Sequence, residues 1–373
     1  MNFTLSEEHE ALRDSAQVFL DKEVNLAPLL KPGASVADAN YEGLWAKIVE
    51  MGWPGIVVPA EFGGLGMTYL DLAMILSETG RTLAPSPFFG TLAGAWAVER
   101  GGSDKQKAAL LGGVAGGELK LALAVADTDG ETGNAGSDAR AVEQGGEYQI
   151  SGSKSFVVDG ASADKLIVAA ALNGQRRFFI VDRAAKGVSV DVLKWRDITR
   201  QVCTVTFNAA AAELMPGADA EVWPWVRDRL YMTLAAESAA VAKQALADTV
   251  EYAKERVAFG RPIGAYQSIK HALAEIAGQA ECAVAAVHFA AWALGENDPR
   301  APLACAMAQS YCSEAAKEAT HRNIQVFGAI GFTWEMKNHL YYKRARANSE
   351  LLGSPRAQRE EVVQMLEREH KAA

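Results

Sequence analysis

The chain lacks any long apolar run. None of its 373 residues belong to a stretch of the roughly 18 uninterrupted apolar residues that a membrane-spanning helix needs. Its start, MNFTLSEEHE, carries Glu7, Glu8 and Glu10 where a secretory leader would be apolar. A cytoplasmic protein without membrane contact is therefore expected. Cysteine is scarce: Cys203, Cys282, Cys305 and Cys312 include no C-x-x-C pair. Neither a disulfide framework nor a structural zinc site is expected, and the four read as buried free thiols. Positive charge is not in excess, with 37 Lys and Arg against 46 Asp and Glu and a net charge of −9. That balance excludes a general nucleic-acid binder, which needs a basic face. Also missing are a G-x-G-x-x-G loop between strand and helix, a G-x-S-x-G turn and histidines at metal-ligand spacing. A Rossmann-type dinucleotide site, a serine hydrolase and a metalloenzyme find no support.

What is present is apolar residue in quantity. The hydrophobic fraction is 49%, enough for a large core and more than one domain. The texture of the chain changes twice. Residues 1–117 read as a helical domain. Thr4 or Ser6 can cap a first helix, and further helices are expected through Leu44 and Ile48, over 71–84, and through Ala95 and Val98. Residues 118–215 carry short β-branched runs, among them EYQISG, KSFVVDG, DKLIVAAAL and RRFFIVD, with turn residues between them. They predict an antiparallel sheet or small barrel. Residues 216–373 return to long helices. The segment 227–256 runs for some 30 residues almost without a breaker, as helices of a bundle do. Helices, then strands, then helices, without alternation, argue against a doubly wound fold.

One break in that last region stands out. ERVAFGRPIGAYQSIKH (255–271) stops a helix and restarts it. Each interior glycine costs about 1 kcal/mol of helix stability, and proline more. Arg256 stands before the break and Gln267 where helix resumes. A second polar and glycine-rich group, QVFGAIGFTWE, follows at 325–335. Taken singly, each reads as a helix corner. Together they suggest backbone that comes close to a ligand: glycine removes the side chain, and arginine offers a forked donor for a diphosphate.

These residues resemble the acyl-CoA dehydrogenase family, whose signature is R-x-x-F-G with a glutamine downstream. VPAEFGGLGM (58–67), GSD (136–138) with YQISGSKSFVVDGASADKLIVAA (148–170), and QVFGAIGFTWE resemble three more of its segments, in order and over essentially the whole chain. The resemblance implies an N-terminal helical domain, a central antiparallel β domain and a C-terminal four-helix bundle. It implies FAD, an acyl-CoA substrate, an electron-transfer flavoprotein or similar acceptor, and a tetramer. Arg256, Phe259 and Gln267 would meet the diphosphate and adenosine of FAD across a subunit interface. Gln325, Gly328 and Gly331 would line the adenosine half. The family's reaction is α,β-dehydrogenation: a carboxylate takes the α-proton of the thioester and the flavin accepts the β-hydride.

The chain departs from the family at the chemistry. The base usually lies in an E-G-T element. Here NSELLGSP (348–355) matches Gly-Thr with Gly353 and Ser354, which keeps Ser354 as a flavin-site candidate, but puts Leu352 at the glutamate. The other position some members use falls at Leu230. Phe156 and Val158 stand where the family has a tryptophan and a threonine beside the flavin ring. Glu237, in an apolar run, and Asp228, half a turn before Leu230, remain as candidate bases. A buried Glu237 without a partner would have a raised pKa. Glu350 is expected to point away. These departures, with FTWE and HLYYKRA near the C-terminus, resemble the bacterial branch acting on steroid side-chain and other bulky acyl-CoAs, some of whose members are paired unlike subunits. Two readings follow: a flavoenzyme with a displaced base, in a homotetramer, or a partner subunit that completes the FAD site of a sister chain in a heterotetramer. A flavin task of another kind is the remoter third.

Overall fold

The structure is a computed structural model that describes residues 5–130, 132 and 138–372. Ser6 caps α1 (Glu7–Glu23), accepting from the His9 N–H, with three glutamates in the positive first turn. Thr4 lies outside the described residues. After two short 3₁₀ turns come α2 (Tyr41–Glu50), α3 (Tyr69–Thr82), α4 (Phe88–Gly101) and α5 (Asp104–Ala115). Thr68 and Ser103 cap α3 and α5 with reciprocal capping boxes. α4 is apolar all round: Phe88, Leu92, Trp96 and Val98 are each buried. A helix of that kind has neighbours on every side. It packs against the β region on one face and the C-terminal helices on the other. Each large apolar side chain so buried contributes about 1.5–3 kcal/mol.

The β region has seven strands: β1 (Leu121–Ala124), β2 (Arg140–Gln144), β3 (Glu147–Val158), β4 (Lys165–Leu172), β5 (Gln175–Asp182), β6 (Val188–Val192) and β7 (Val202–Ala218). The ladder runs β4–β2–β3–β7–β5 and returns to β4, with β1 and β6 on its edges. Ile150, Leu166, Val168, Phe179, Val205 and Phe207 fill its interior. Two runs that the sequence separates, EYQISG and KSFVV, form the single strand β3. Its kink is a register shift between Lys154 and Val157 against β7. The expected antiparallel pairing holds for most of the ladder, but β1 lies parallel to β4. Glycine and serine of the GSD motif lie outside the described residues.

The C-terminal region opens with α6 (Asp219–Glu255), 37 residues long. A two-stranded hairpin, β8 (Val257–Ala258) and β9 (Arg261–Pro262), separates it from α7 (Gln267–Gly295). α8 (Ala301–Phe327), α9 (Asn338–Glu350) and α10 (Pro355–Ala372) follow. α6 and α8 meet through small residues, including Ala304, Ala308, Ala315 and Ala319. Three of the cysteines are buried there or in the β region. Cys282 is exposed, which corrects the expectation of four buried thiols. No helix among the described residues is long and apolar enough to cross a membrane.

Candidate functional site

Four positions marked in the sequence converge. Phe156 and Val158 on β3, Leu230 on α6 and Leu352 after α9 line one cleft, with Phe89, Gly90 and Ala93 of α4 as its roof. Gly90 must be glycine here, because a Cβ would come within 2.8 Å of the Val158 carbonyl and the Asp159 side chain. Leu123, Val125, Trp223 and Leu351 complete an almost wholly apolar lining. No carboxylate lines the cleft among the described residues. A cavity of about 40 Å³ opens among these side chains. Phe156 takes up part of the space. It is held at φ 53°, a strained value for an aromatic residue, and packs edge-on against Trp195 with ring centroids 6.0 Å apart.

Neither candidate base reaches this cleft. Glu237 is buried, and it has partners. Arg200 donates to both Glu237 oxygens at 2.7 Å. Asn348 donates to Oε2 at 3.1 Å, and Arg344 lies 3.6 Å away. Arg344 in turn binds Asp197 at 2.6 Å and the Thr199 hydroxyl at 2.5 Å. Burial alone would raise the Asp197 carboxyl, but the Arg344 and Arg200 charges hold it below its ordinary value. This network joins the loop before β7 to α6 and α9. Both Glu237 oxygens accept from Arg200, and Oε2 also accepts from Asn348, so the carboxylate is tied into a buried ion-pair network.

Asp228 points elsewhere too. It is buried beside Arg227, 3.3 Å away, and Arg227 also holds Glu361 of α10 at 2.7 Å. Burial pushes the Asp228 carboxyl up to about 6, against the pull of Arg227. The unfolded chain keeps the ordinary 3.8. The folded state therefore binds more protons between those values, and Asp228 makes stability fall as pH rises from about 4 to about 6. Asp228→Asn should flatten that part of the pH dependence. Urea unfolding at pH 4.5 and pH 7 checks it; an unchanged difference between the two would contradict the buried carboxyl. Ser354 stands apart from both. It does not line the cleft, and its hydroxyl accepts from the Ala357 N–H as a cap for α10. Glu350 is exposed, as expected.

The second site lies at the far end of α6. Arg256 and Gln267 are exposed on either side of the hairpin, and Phe259 at its tip is 97% exposed. Gln325, Gly328 and Gly331 form the neighbouring corner, where α8 ends. Tyr252 stacks on Phe327 with centroids 4.0 Å apart, which locks the two corners side by side. Gln325 and Gly328 are exposed and Gly331 is buried against Phe327 and Ile324. The stacking pair was missed in the sequence, although both aromatics adjoin the motifs. So was the Arg200 network, of which only the four-residue spacing of Arg344 and Asn348 on one helix face was legible.

The two sites are far apart. Leu230 stands in the first third of α6 and Arg256 just past its end, roughly 39 Å away at 1.5 Å per residue.

Comparison with known proteins agrees with this geometry. Residues 6–118 match the acyl-CoA dehydrogenase N-terminal domain and residues 228–366 the C-terminal domain. Acyl-CoA dehydrogenase IpdE2 of Mycobacterium tuberculosis (strain ATCC 25618 / H37Rv) is 33% identical over 98% of this chain and 98% of its own. The chain belongs to the acyl-CoA dehydrogenase family. The solved Tcur3481–Tcur3483 steroid acyl-CoA dehydrogenase superposes with a TM-score of 0.87 at 27% identity, over 99% of this chain and 100% of that one. The ChsE4–ChsE5 complex of Mycobacterium tuberculosis shares the fold, with a TM-score of 0.88 at 24% identity over 98% and 99% of the two chains.

FAD is the cofactor of acyl-CoA dehydrogenases, and its two halves fare differently on these residues. The corner at Arg256 suits an adenosine diphosphate: an exposed guanidinium for the phosphates, an aromatic face, and glycine backbone at Gly260 and Gly328 with nothing within 4 Å of an added Cβ. The cleft at Phe156 is apolar, and Val158 offers the ring no hydroxyl.

Proposed function

We propose that this acyl-CoA dehydrogenase chain serves the α,β-dehydrogenation of a bulky, steroid-like acyl-CoA as the partner subunit of a heteromer. It lends its corner at Arg256, Phe259 and Gln267 to FAD whose ring is held by a base-bearing sister chain. One observation carries this reading. The cleft where the family does its chemistry is apolar and without a described carboxylate, while the dinucleotide corner roughly 39 Å along the same helix stands exposed. An exposed Phe259, Phe332 and Ile330 at that corner also favour a second chain over it. The likeness to a steroid acyl-CoA dehydrogenase named for two gene products supports both the bulky substrate and the pairing. The proposed acceptor is an electron-transfer flavoprotein.

Purification tests this directly. The chain expressed alone should be colourless. Co-expressed with a homologue that has the glutamate, it should yield a yellow assembly that bleaches with a bulky acyl-CoA. A chain that is yellow alone and bleaches on its own has a complete site, in a homo-oligomer, and the partner reading fails.

A further inference from the structure

The hairpin that carries Phe259 should not hold its shape unaided. Phe259 and Gly260 have φ of 51° and 80°, the pair of left-handed residues that a type I′ turn requires. Asparagine or glycine takes the first of those positions readily. A bulky side chain there costs on the order of 1–3 kcal/mol. The strands on either side are two residues each, and so short a hairpin is marginal by itself. Phe259 packs against nothing that would offset the strain, being 97% exposed.

What fastens the turn is Tyr266. Its hydroxyl donates to the Ala258 carbonyl at 2.9 Å, at the base of the turn. The Arg261 guanidinium, on the other side of the turn, lies over its ring at 4.2 Å. Beneath them the Ile263 N–H donates to the Arg256 carbonyl at 2.8 Å. Tyr266 is also the N-cap residue of α7, and its side chain makes no capping bond. Serine, threonine, aspartate or asparagine would stabilise that helix start by roughly 0.5–2 kcal/mol. The chain forgoes the cap and aims a tyrosine at the hairpin. A local rule broken without local gain marks a functional position.

We propose that Tyr266 is a positioning residue for FAD. It holds the Ala258–Arg261 turn in the shape that presents Phe259 and Arg256 to the cofactor, so that binding does not have to order the hairpin. This rests on the reading of the corner as the dinucleotide platform.

The test uses the native assembly, purified through a tag on this chain, stripped of flavin and titrated with FAD by fluorescence. Tyr266→Phe keeps the ring under Arg261 and removes the bond to Ala258; Tyr266→Ala removes both. Tyr266→Ala should raise the FAD dissociation constant about tenfold and Tyr266→Phe by a smaller factor, with the thermal midpoint of the assembly unmoved. Hydrogen exchange at the Gly260 and Arg261 amides should quicken in the same order. Arg256→Ala serves as the reference. If Arg256→Ala weakens FAD and neither tyrosine variant does, the brace is wrong and the platform stands. If Arg256→Ala has no effect either, the platform reading falls and the brace with it. Weakening that appears only together with a lowered thermal midpoint marks Tyr266 as structural and overturns the proposal.

Discussion

Arg256→Ala should leave the purified assembly almost colourless, with an FAD dissociation constant raised about 10- to 100-fold. The size follows from the bonds at stake. Hydrogen bonds to charged groups contribute about 1.5–3 kcal/mol each, and 1.4 kcal/mol is a factor of ten. Arg256 lies past the end of α6 and is exposed, so its loss removes nothing from the core. Its backbone bond from Ile263 survives in the alanine variant. The thermal midpoint of the flavin-free assembly should therefore match that of flavin-free wild type, while flavin content collapses. Arg256→Lys should fall between, since it keeps the charge and loses the planar fork. Fluorescence titration of the stripped assembly gives the constant. A wild-type affinity in the alanine variant would mean that the diphosphate is held elsewhere.

Arg200→Ala should do the reverse, taking about 3–5 kcal/mol from stability, the usual result of breaking a buried ion pair. Glu237 would then sit in a site 4% exposed, with Asn348 and a more distant Arg344 as its remaining partners. Glu237→Gln should also destabilise, because it removes the carboxylate to which Arg200, itself 7% exposed, donates and leaves only the charges of Asp197 and Asp159 near it. Removing both charges together should recover part of the loss. This separates the structural role from a catalytic one. A general base changed to glutamine silences the reaction and leaves the fold intact. Urea unfolding of the three variants settles the matter, and a stable Glu237→Gln protein would reopen the case for Glu237 as a base.

The legible part of the site was the part made by local sequence. The R-x-x-F-G corner is legible because a turn with glycine and proline inside a long helical pattern has no other cheap explanation. Its partner corner at 325–335 is legible for the same reason. The surroundings of Glu237 were not legible, because a glutamate among alanines looks the same from the sequence whether it faces an arginine or an empty pocket. The arginine that decides the matter is Arg200, in a loop of another region. Ser354 is a similar case: serine two residues after a leucine pair fits a flavin contact and a helix cap equally well, and Pro355 begins α10. β1 was missed because LALA is only four residues long and shows no alternation. Its strand form comes from pairing with β4, more than forty residues on.

By itself the sequence determined the order of helices, strands and helices, the presence of one long helix and the broken corner at its end. Those are matters of propensity and period, settled between residues close in the chain. Only the tertiary structure decided that Phe156, Val158, Leu230 and Leu352 share one cleft, and that Glu237 spends its charge on Arg200. These depend on which side chains meet from distant segments, and on how much space they leave when packed to the density of a solid.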